Sequence, residues 1–174
     1  MNIYHSHKTI KGFTLIEILL YISISSVLLL SVSSFFSMLL QSRVKNQTVA
    51  EVEQQGLEVM QIITQALRNA DVINAPAPGT SAASLSANTL ISGSNPTIFD
   101  LSSGAIRITE GANPAIPLTN SHISGTNIIF KNLSRSGTPG TVRIQFTLSH
   151  NNPGGRNEQS FTKTFIASAT LRQP

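Results

Sequence analysis

The sequence predicts an α+β fold: a long N-terminal helix whose second half packs on a C-terminal antiparallel β-sheet. An uncharged apolar run extends from Ile18 to Leu40, long enough to cross a bilayer as a helix, which takes about 20 mostly apolar residues. Apolar residues then recur at helical spacing, and short alternating runs follow. We divide the chain into a leader (1–12), a membrane-spanning half-helix (13–40), an amphipathic half-helix (41–72), a variable loop (73–96) and a β domain (97–174).

The leader, Met1 to Gly12, is basic at Lys8 and Lys11 and contains no acidic residue. Such a segment could be the n-region of a secretory signal peptide. However, the apolar run that follows is longer than the usual apolar region of a signal peptide, about 7–15 residues, and an acid opens it. Ser31-Val32-Ser33 is the best site for ordinary signal-peptidase cleavage, which would give a chain that starts near Ser34.

Glu17 is an anomaly that needs an explanation, because it stands at the mouth of the apolar run. An ionised side chain at membrane depth costs about 2.5–3.5 kcal/mol on insertion scales. Anchoring does not require a carboxylate, so we expect Glu17 to be functional and to have a partner. The alternative is an incidental glutamate that reaches the cytoplasmic interface through its flexible stem.

The stretch Lys11–Glu17, read as Lys-Gly-Phe-Thr-Leu-Ile-Glu, resembles the N-terminal processing signal of type IV pilins and pseudopilins. The resemblance implies that a prepilin peptidase cuts between Gly12 and Phe13, with Lys11 as the basic residue of the leader. It also implies that Phe13 becomes N-methylated and that Glu17 neutralises an N-terminal amine when subunits dock. It is specific from Lys11 to about Leu40, and beyond that only the architecture is similar.

Helical spacing is compatible with this role of Glu17. Residues four apart share a helix face, so Glu17 can lie near the amine of Phe13 or reach that of a neighbouring subunit. A buried carboxylate is tolerable when paired and costly when unpaired. Lateral association of helices is therefore favoured, because a neighbouring helix can supply the partner. The resemblance also implies that a subunit retaining this acid is not the extreme tip subunit.

A single helix is expected from about Thr14 to Ala70, roughly 85 Å long at 1.5 Å per residue. Seven serines in the span allow close helix approach or bond back to their own helix. Gly56 is the only interior breaker of the second half, at a cost of roughly 1 kcal/mol relative to alanine. The apolar positions of that half follow helical spacing: Val49, Val52, Val59, Ile63, Leu67 and Ala70.

The segment from Ala75 to Asn88, rich in small residues and proline, is expected to be an irregular surface loop. Two hairpins follow, 97–101 with 105–109 and 127–133 with 141–150, and 160–171 closes the sheet. Pro117 limits the short run 116–119 to an edge strand. The alternation of Val142, Ile144, Phe146 and Leu148 with polar residues predicts a strand that is buried on one face.

Charge and cysteine content exclude several classes of protein. Lysine and arginine number 12 against 8 acidic residues, giving a net charge of +4, and removing Lys8 and Lys11 with the leader would leave a side-chain charge of about +2. Only 11% of residues are charged, which suits a subunit that packs against others. The absence of cysteine excludes disulfides and thiolate metal sites, and favours a minor pilin or pseudopilin over those major pilins that carry a disulfide.

No cofactor or metal site is predicted elsewhere in the sequence. The chain shows no catalytic Ser–His–Asp pattern, so an exported enzyme is disfavoured. His5-Ser6-His7 could suggest a metal site but lies in the leader that is expected to be removed, and His122 and His150 have no acid or cysteine at ligand spacing. Calcium could be held by oxygens of Asn151, Asn152 and Glu158. An acidic partner or DNA could face Arg135, Arg143, Arg156 and Arg172. The histidines considered for a metal are His5, His7, His122 and His150.

The resemblance therefore implies a minor pilin or pseudopilin, similar to the larger J-type pseudopilins, that works by assembly without turnover of a substrate. Its implied partners are the prepilin peptidase, other pilin-like subunits and the inner-membrane assembly platform. The implied location is the cytoplasmic (inner) membrane, with an extracytoplasmic C-terminal domain that enters a filament. The alternative is a subunit near the tip that captures DNA, a surface or a secreted protein. The sequence leaves open whether the filament serves a pilus, competence or type II secretion.

Overall fold

The computed structural model describes residues 12–172. The predictions made for Lys11, Lys8, His5 and His7 lie outside these residues. The chain divides into two units, Met1–Ser42 and Arg43–Pro174, and each is described separately below.

The predicted single helix is confirmed. Helix α1 spans Leu15–Arg68, and it ends two residues before the expected Ala70, because Ala70 begins the first strand. From residue 12 to residue 42 nearly every side chain is exposed. Ser23, Ser26 and Ser31 donate hydrogen bonds to the carbonyls of Leu19, Ile22 and Val27, at 2.7, 2.7 and 2.9 Å. At least these three serines bond back to their own helix.

The second half of α1 carries a buried stripe at helical spacing. Val52, Val59, Ile63 and Leu67 are each at most 1% exposed, as the apolar pattern predicts. Gly56 continues the stripe, since a Cβ placed on it would overlap the ring of Phe165. Packing therefore explains the glycine in the helix interior: without a Cβ at Gly56, the ring of Phe165 can lie directly on the helix backbone.

In the described part of the second unit, residues 43–172, nine strands follow the helix and form two antiparallel sheets. One sheet has five strands in the order β1-β3-β4-β5-β6, and the other has four in the order β2-β7-β8-β9. One 3₁₀ turn, Ser92–Ser94, precedes β4 and another, Asn157–Gln159, precedes β9. The strands are β1 Ala70–Ala75, β2 Ser81–Ala82, β3 Leu85–Thr89, β4 Thr97–Ser102, β5 Ala105–Glu110, β6 Ile116–Pro117, β7 Ile123–Asn132, β8 Thr141–His150 and β9 Thr162–Thr170.

Both predicted hairpins are present. β4 pairs with β5 and β7 pairs with β8, each antiparallel with a short turn. Pro117 lies in the two-residue edge strand β6, where its missing N–H costs no ladder bond. On β8 the buried residues Val142, Ile144, Phe146 and Leu148 alternate with more exposed polar ones, which confirms that this strand is buried on one face.

The interpretation of 75–88 as an irregular surface loop is wrong. β1 reaches Ala75, and β2 and β3 lie within the segment. Leu85 is fully buried and Ala87 is 4% exposed, so β3 contributes to the core. The strands therefore begin at residue 70 instead of 97, and the single predicted sheet is replaced by two.

The core of the second unit lies between the buried stripe of α1 and the inner faces of the sheets. Its largest fully buried side chains are aromatic: Phe99, Phe130 and Phe146. Phe146 stacks on Phe165 of the neighbouring strand, with ring centroids 5.5 Å apart. From residue 12 to residue 51, no residue belongs to the buried core cluster.

Candidate functional site: the N-terminal turn of the helix

The first turn of α1 is closed by a side-chain cap. Thr14 precedes the helix, and its Oγ1 accepts a hydrogen bond from the backbone N–H of Glu17 at 3.3 Å. A threonine before the helix with a glutamate three residues later is a capping box. The acid also lies in the first turn, where the positive end of the helix dipole favours a negative charge. Glu17 thus helps to begin the helix.

The carboxylate of Glu17 is partly sheltered by two aromatic rings. Tyr21, one turn later, donates a hydrogen bond from its hydroxyl to Oε1 of Glu17 at 3.3 Å. The ring of Phe13 meets that of Tyr21 edge-on, with centroids 6.4 Å apart. Among residues 12–42, Glu17 is the one side chain that is half-buried, and the others are exposed. The carboxylate of Glu17 thus lies beside two aromatic rings at the start of a mostly apolar helix segment.

The two residues of the predicted cut lie just before the helix. Gly12 is exposed, and no heavy atom lies within 4 Å of a Cβ placed on it. Phe13 is 71% exposed. The bond between them is thus in an uncovered segment next to the cap, where a protease can reach it. A cut there would leave a free amine about one helical turn before Glu17, near enough to pair with it. Cleavage, methylation and docking remain predictions.

Sequence reasoning missed Thr14 and Tyr21 as parts of this site. Both have local signals. The Thr-x-x-Glu spacing from Thr14 to Glu17 identifies a capping box, and Tyr21 lies four residues after Glu17, on the same helix face.

The rest of the first unit is an apolar surface. Large apolar side chains from Leu15 to Leu40 are between 48% and 77% exposed. Helix α1 is long and apolar enough, by length and composition, to cross a membrane. Exposed apolar area of this extent indicates that lipid or other protein covers it.

The two histidines of the second unit meet an acid that sequence spacing did not reveal. Glu51 of α1 lies 3.3 Å from Nδ1 of His122 through Oε1, and 3.6 Å from Nε2 of His150 through Oε2. Asn120 donates to the same Oε1 at 2.9 Å. Within residues 12–172, however, no group of three or more histidine or acidic side chains has the arrangement of a metal site. Glu51 therefore joins the helix to the β6–β7 turn and to the end of β8.

Two of the three side chains considered for calcium, those of Asn152 and Glu158, bond to Arg156. The N–H of Arg156 donates to Oδ1 of Asn152, and its guanidinium donates to Oε1 of Glu158 at 2.6 Å. The backbone N–H of Glu158 and the guanidinium of Arg156 lower the pKa of Glu158. These bonds close the β8–β9 turn, and Glu158 neutralises the charge of Arg156.

The other arginines weighed for a partner do not form one cluster with Arg156. Arg143 lies on the exposed face of β8 opposite Lys131 of β7, and Arg135 lies in the β7–β8 turn. Arg172 follows β9, and its N–H donates to the carbonyl of Arg68 at 3.2 Å. Between residues 12 and 172, neither Arg68 nor Arg172 makes an ion pair.

Comparison with known proteins gives one match. A family model described as the prokaryotic N-terminal methylation motif matches residues 7–33. No curated protein matches the chain, and no solved structure matches it. The match spans the basic end of the leader, the capped turn and the first part of the exposed helix, which are the features that the site is built from. The chain therefore carries the N-terminal methylation motif that is typical of type IV pilin-like proteins.

Proposed function

We propose that this chain is a minor pilin or pseudopilin, a non-catalytic subunit of a type IV pilus-like filament or secretion pseudopilus. It is made as a membrane-anchored precursor with its C-terminal unit outside the cytoplasm. Prepilin peptidase cuts it between Gly12 and Phe13, and Phe13 is methylated. Glu17 then pairs with an N-terminal amine as the subunit joins its neighbours.

The observation that carries the proposal is the exposed apolar half of α1, with a sheltered acid in its first turn. None of the large apolar side chains of 15–40 is buried within the chain, so association with lipid or with similar helices must cover them. Inside such an environment an acid that has no cationic partner is costly. An amine on Phe13 would supply that partner from the chain itself or from the next subunit.

The decisive experiment is intact mass and N-terminal sequencing of the full chain from a host that has a prepilin peptidase. The unmodified chain should begin at N-methylated Phe13. Gly12→Val should remain at full length, because the branched side chain blocks the bond to be cut. The change itself is harmless to the described structure, since the space around Gly12 is open.

Gly93→Val is the matched control, because Gly93 also has open space around it and lies far from the N-terminus in the chain. It should be processed like the unmodified chain. An unmodified chain that starts near Ser34, or one that keeps Met1, would overturn the proposal and the role given to Glu17.

A further inference from the structure

Three of the four sheet edges in the second unit carry features that discourage pairing with another chain. β1 is interrupted by two register shifts against β3, and bulges disrupt an edge. β2 has only two residues. β6 also has two, and one of them is Pro117. Short strands, bulges and prolines are the usual protection of exposed edges.

The fourth edge, β9, has none of these features. All nine of its residues pair with β8 in one uninterrupted register, and the strand contains neither proline nor glycine. Its single charged residue is Lys163, near the start. The ammonium of Lys163 bonds to Oε1 of Glu53 on α1 at 2.6 Å, so the charge is neutralised against the helix. From Thr164 to Thr170 the edge is uncharged.

The hydrogen bonds at both ends of β9 show which backbone groups point away from β8. His150 N–H donates to the carbonyl of Phe161, and Leu171 N–H donates to that of Gly140. Both pairs continue the register of β8 and β9. Because hydrogen-bonded and non-bonded pairs alternate in an antiparallel ladder, the odd-numbered residues of β9 bond to β8. The outward residues are the even-numbered ones: Thr162, Thr164, Ile166, Ser168 and Thr170.

The backbone N–H and C=O groups of these outward residues are free to pair with another strand. Within residues 12–172, β9 pairs with no strand other than β8, and no side-chain hydrogen bond reaches the backbone of the five residues. Their side chains are all exposed, and Ile166 is 56% exposed. Four of the five are β-branched threonine or isoleucine, which suit a strand. An incoming strand would find unsatisfied donors and acceptors at regular spacing.

A basic cleft lies where β9 ends. Its volume is about 560 Å³, and it is lined by residues of α1 together with Thr170 and Arg172. Arg68 and Arg172 supply two guanidiniums, and no acidic residue lines the cleft. A segment that runs along β9 would bring its end to these two cations, which would favour a carboxylate there.

The direction of the helix disfavours antiparallel pairing with the β9 of a second copy. Along α1, Glu53 meets Lys163, Gly56 meets Phe165, and Arg68 meets Arg172, so helix and strand run in the same sense. If two β9 strands paired antiparallel, residue 43 of one chain would lie at the opposite end of the joined sheet from residue 43 of the other. In the proposed function, two copies are both anchored in one membrane on the N-terminal side of residue 43, which disfavours this pairing.

We propose that β9 is a docking edge for an extended segment of a different pilin-like subunit. The segment is uncharged over about five residues and carries an acidic side chain at the end that lies beside Arg68 and Arg172. The inference rests on the proposed function, because it takes the neighbouring subunits of a filament as the source of the strand.

The test measures backbone hydrogen exchange of the full chain, alone in detergent micelles and in filaments sheared from its host. In filaments, the outward amides of Thr164, Ile166 and Ser168 should exchange at roughly a tenth of their rate in micelles, or more slowly still, as expected for new hydrogen bonds. Two variants alter the edge without removing a β8–β9 bond. Ser168→Pro deletes one outward donor, and Ile166→Lys adds a charge.

Both variants should keep the melting temperature and the N-terminal processing of the unmodified chain. They should enter filaments roughly fivefold less, because an incoming strand loses about one hydrogen bond at Ser168→Pro and meets a charge at Ile166→Lys. Ile129→Lys is the matched control. Ile129 lies in the same cross-strand row and is 43% exposed, but it belongs to the interior strand β7. It should enter filaments normally.

Edge amides that remain open in filaments of a processed chain would overturn the docking edge and leave the proposed function intact. Entry of Ser168→Pro and Ile166→Lys at the normal level would do the same. Protection that rises with the concentration of the purified chain alone would identify a second copy as the partner and overturn the assignment to a different subunit. An unmodified chain that is neither cut nor assembled overturns both proposals.

Discussion

At the scale of single residues, Glu17 has a structural role besides the proposed docking role. Its backbone N–H bonds to Thr14, and its carboxylate accepts a bond from Tyr21. Loss of the side chain would therefore weaken the start of the helix as well as remove a charge. An alanine substitution cannot separate the two effects, but a neutral isostere can.

Glu17→Gln should be cleaved normally and should enter filaments poorly. Glutamine can take the same place in a capping box, so the first turn is preserved while the charge that pairs with an amine is lost. Thr14→Ala is the opposite variant, because it keeps the charge and weakens the cap by about 1 kcal/mol. Peptidase cleavage followed by quantification in sheared filaments measures both. Equal filament entry of Glu17→Gln and the unmodified chain would contradict the docking role.

The candidate site was predictable because its parts are neighbours in sequence. Lys11 to Glu17 can be recognised without a structure, and Thr14 and Tyr21 lie within one turn of Glu17. The contacts of Glu51 could not be predicted in this way. His122 lies 71 residues further along the chain, and only the packing of the helix on the sheet turns brings the two together.

At the scale of elements, the contact between Gly56 and Phe165 determines how closely α1 approaches β9. The sequence correctly gives the helix and the strand, but it marks Gly56 only as a weak point of the helix. The structure shows that a ring occupies the place of its missing side chain. The cost in helix propensity, roughly 1 kcal/mol, is offset by the burial of an aromatic side chain that stacks on Phe146.

Gly56→Ala should destabilise the second unit by about 1–3 kcal/mol, because overpacking outweighs the better helix propensity of alanine. Thermal and urea unfolding would measure this. Gly93→Ala, in open space, is the control and should change stability by less than about 0.5 kcal/mol. Phe165→Leu should cost less in the Gly56→Ala background than alone. A neutral or stabilising Gly56→Ala would show that the ring moves freely.

The error over 75–88 has a physical cause at the same scale. Serine and proline are frequent in loops and alanine is uncommon in strands, so composition favoured a loop. Leu85 and Ala87 nevertheless alternate with half-buried polar residues and face the core from β3. Tertiary packing overrode weak local propensity, and a strand with only one large apolar residue gives too little periodicity to be recognised.

At the scale of the whole molecule, the chain separates an apolar helix segment from a unit with its own core. All residues of the buried core cluster lie between Val52 and Leu171. Of the described residues of the first unit, 12–42, none belongs to this cluster, so we expect the second unit to fold without the first.

A fragment of residues 43–174 should therefore fold cooperatively and stay soluble without detergent. Circular dichroism melting should show one transition, and the full chain in micelles should melt within a few degrees of it, since the same core unfolds in both. Ile144→Ala, in a fully buried position, should lower the stability of both by a similar amount, about 2–5 kcal/mol. A fragment that aggregates or melts without a transition would show that the first unit is needed for folding.

The hydroxyls of Ser23, Ser26 and Ser31 are already bonded to carbonyls of their own helix. A polar group that is satisfied internally costs little in hydrocarbon and needs no particular neighbour. A subunit that leaves lipid for a protein bundle, and later returns, need not remake these bonds at either step. In the proposed function, these three hydroxyls therefore add no hydrogen-bonding cost to transfer of the helix in either direction between lipid and a filament.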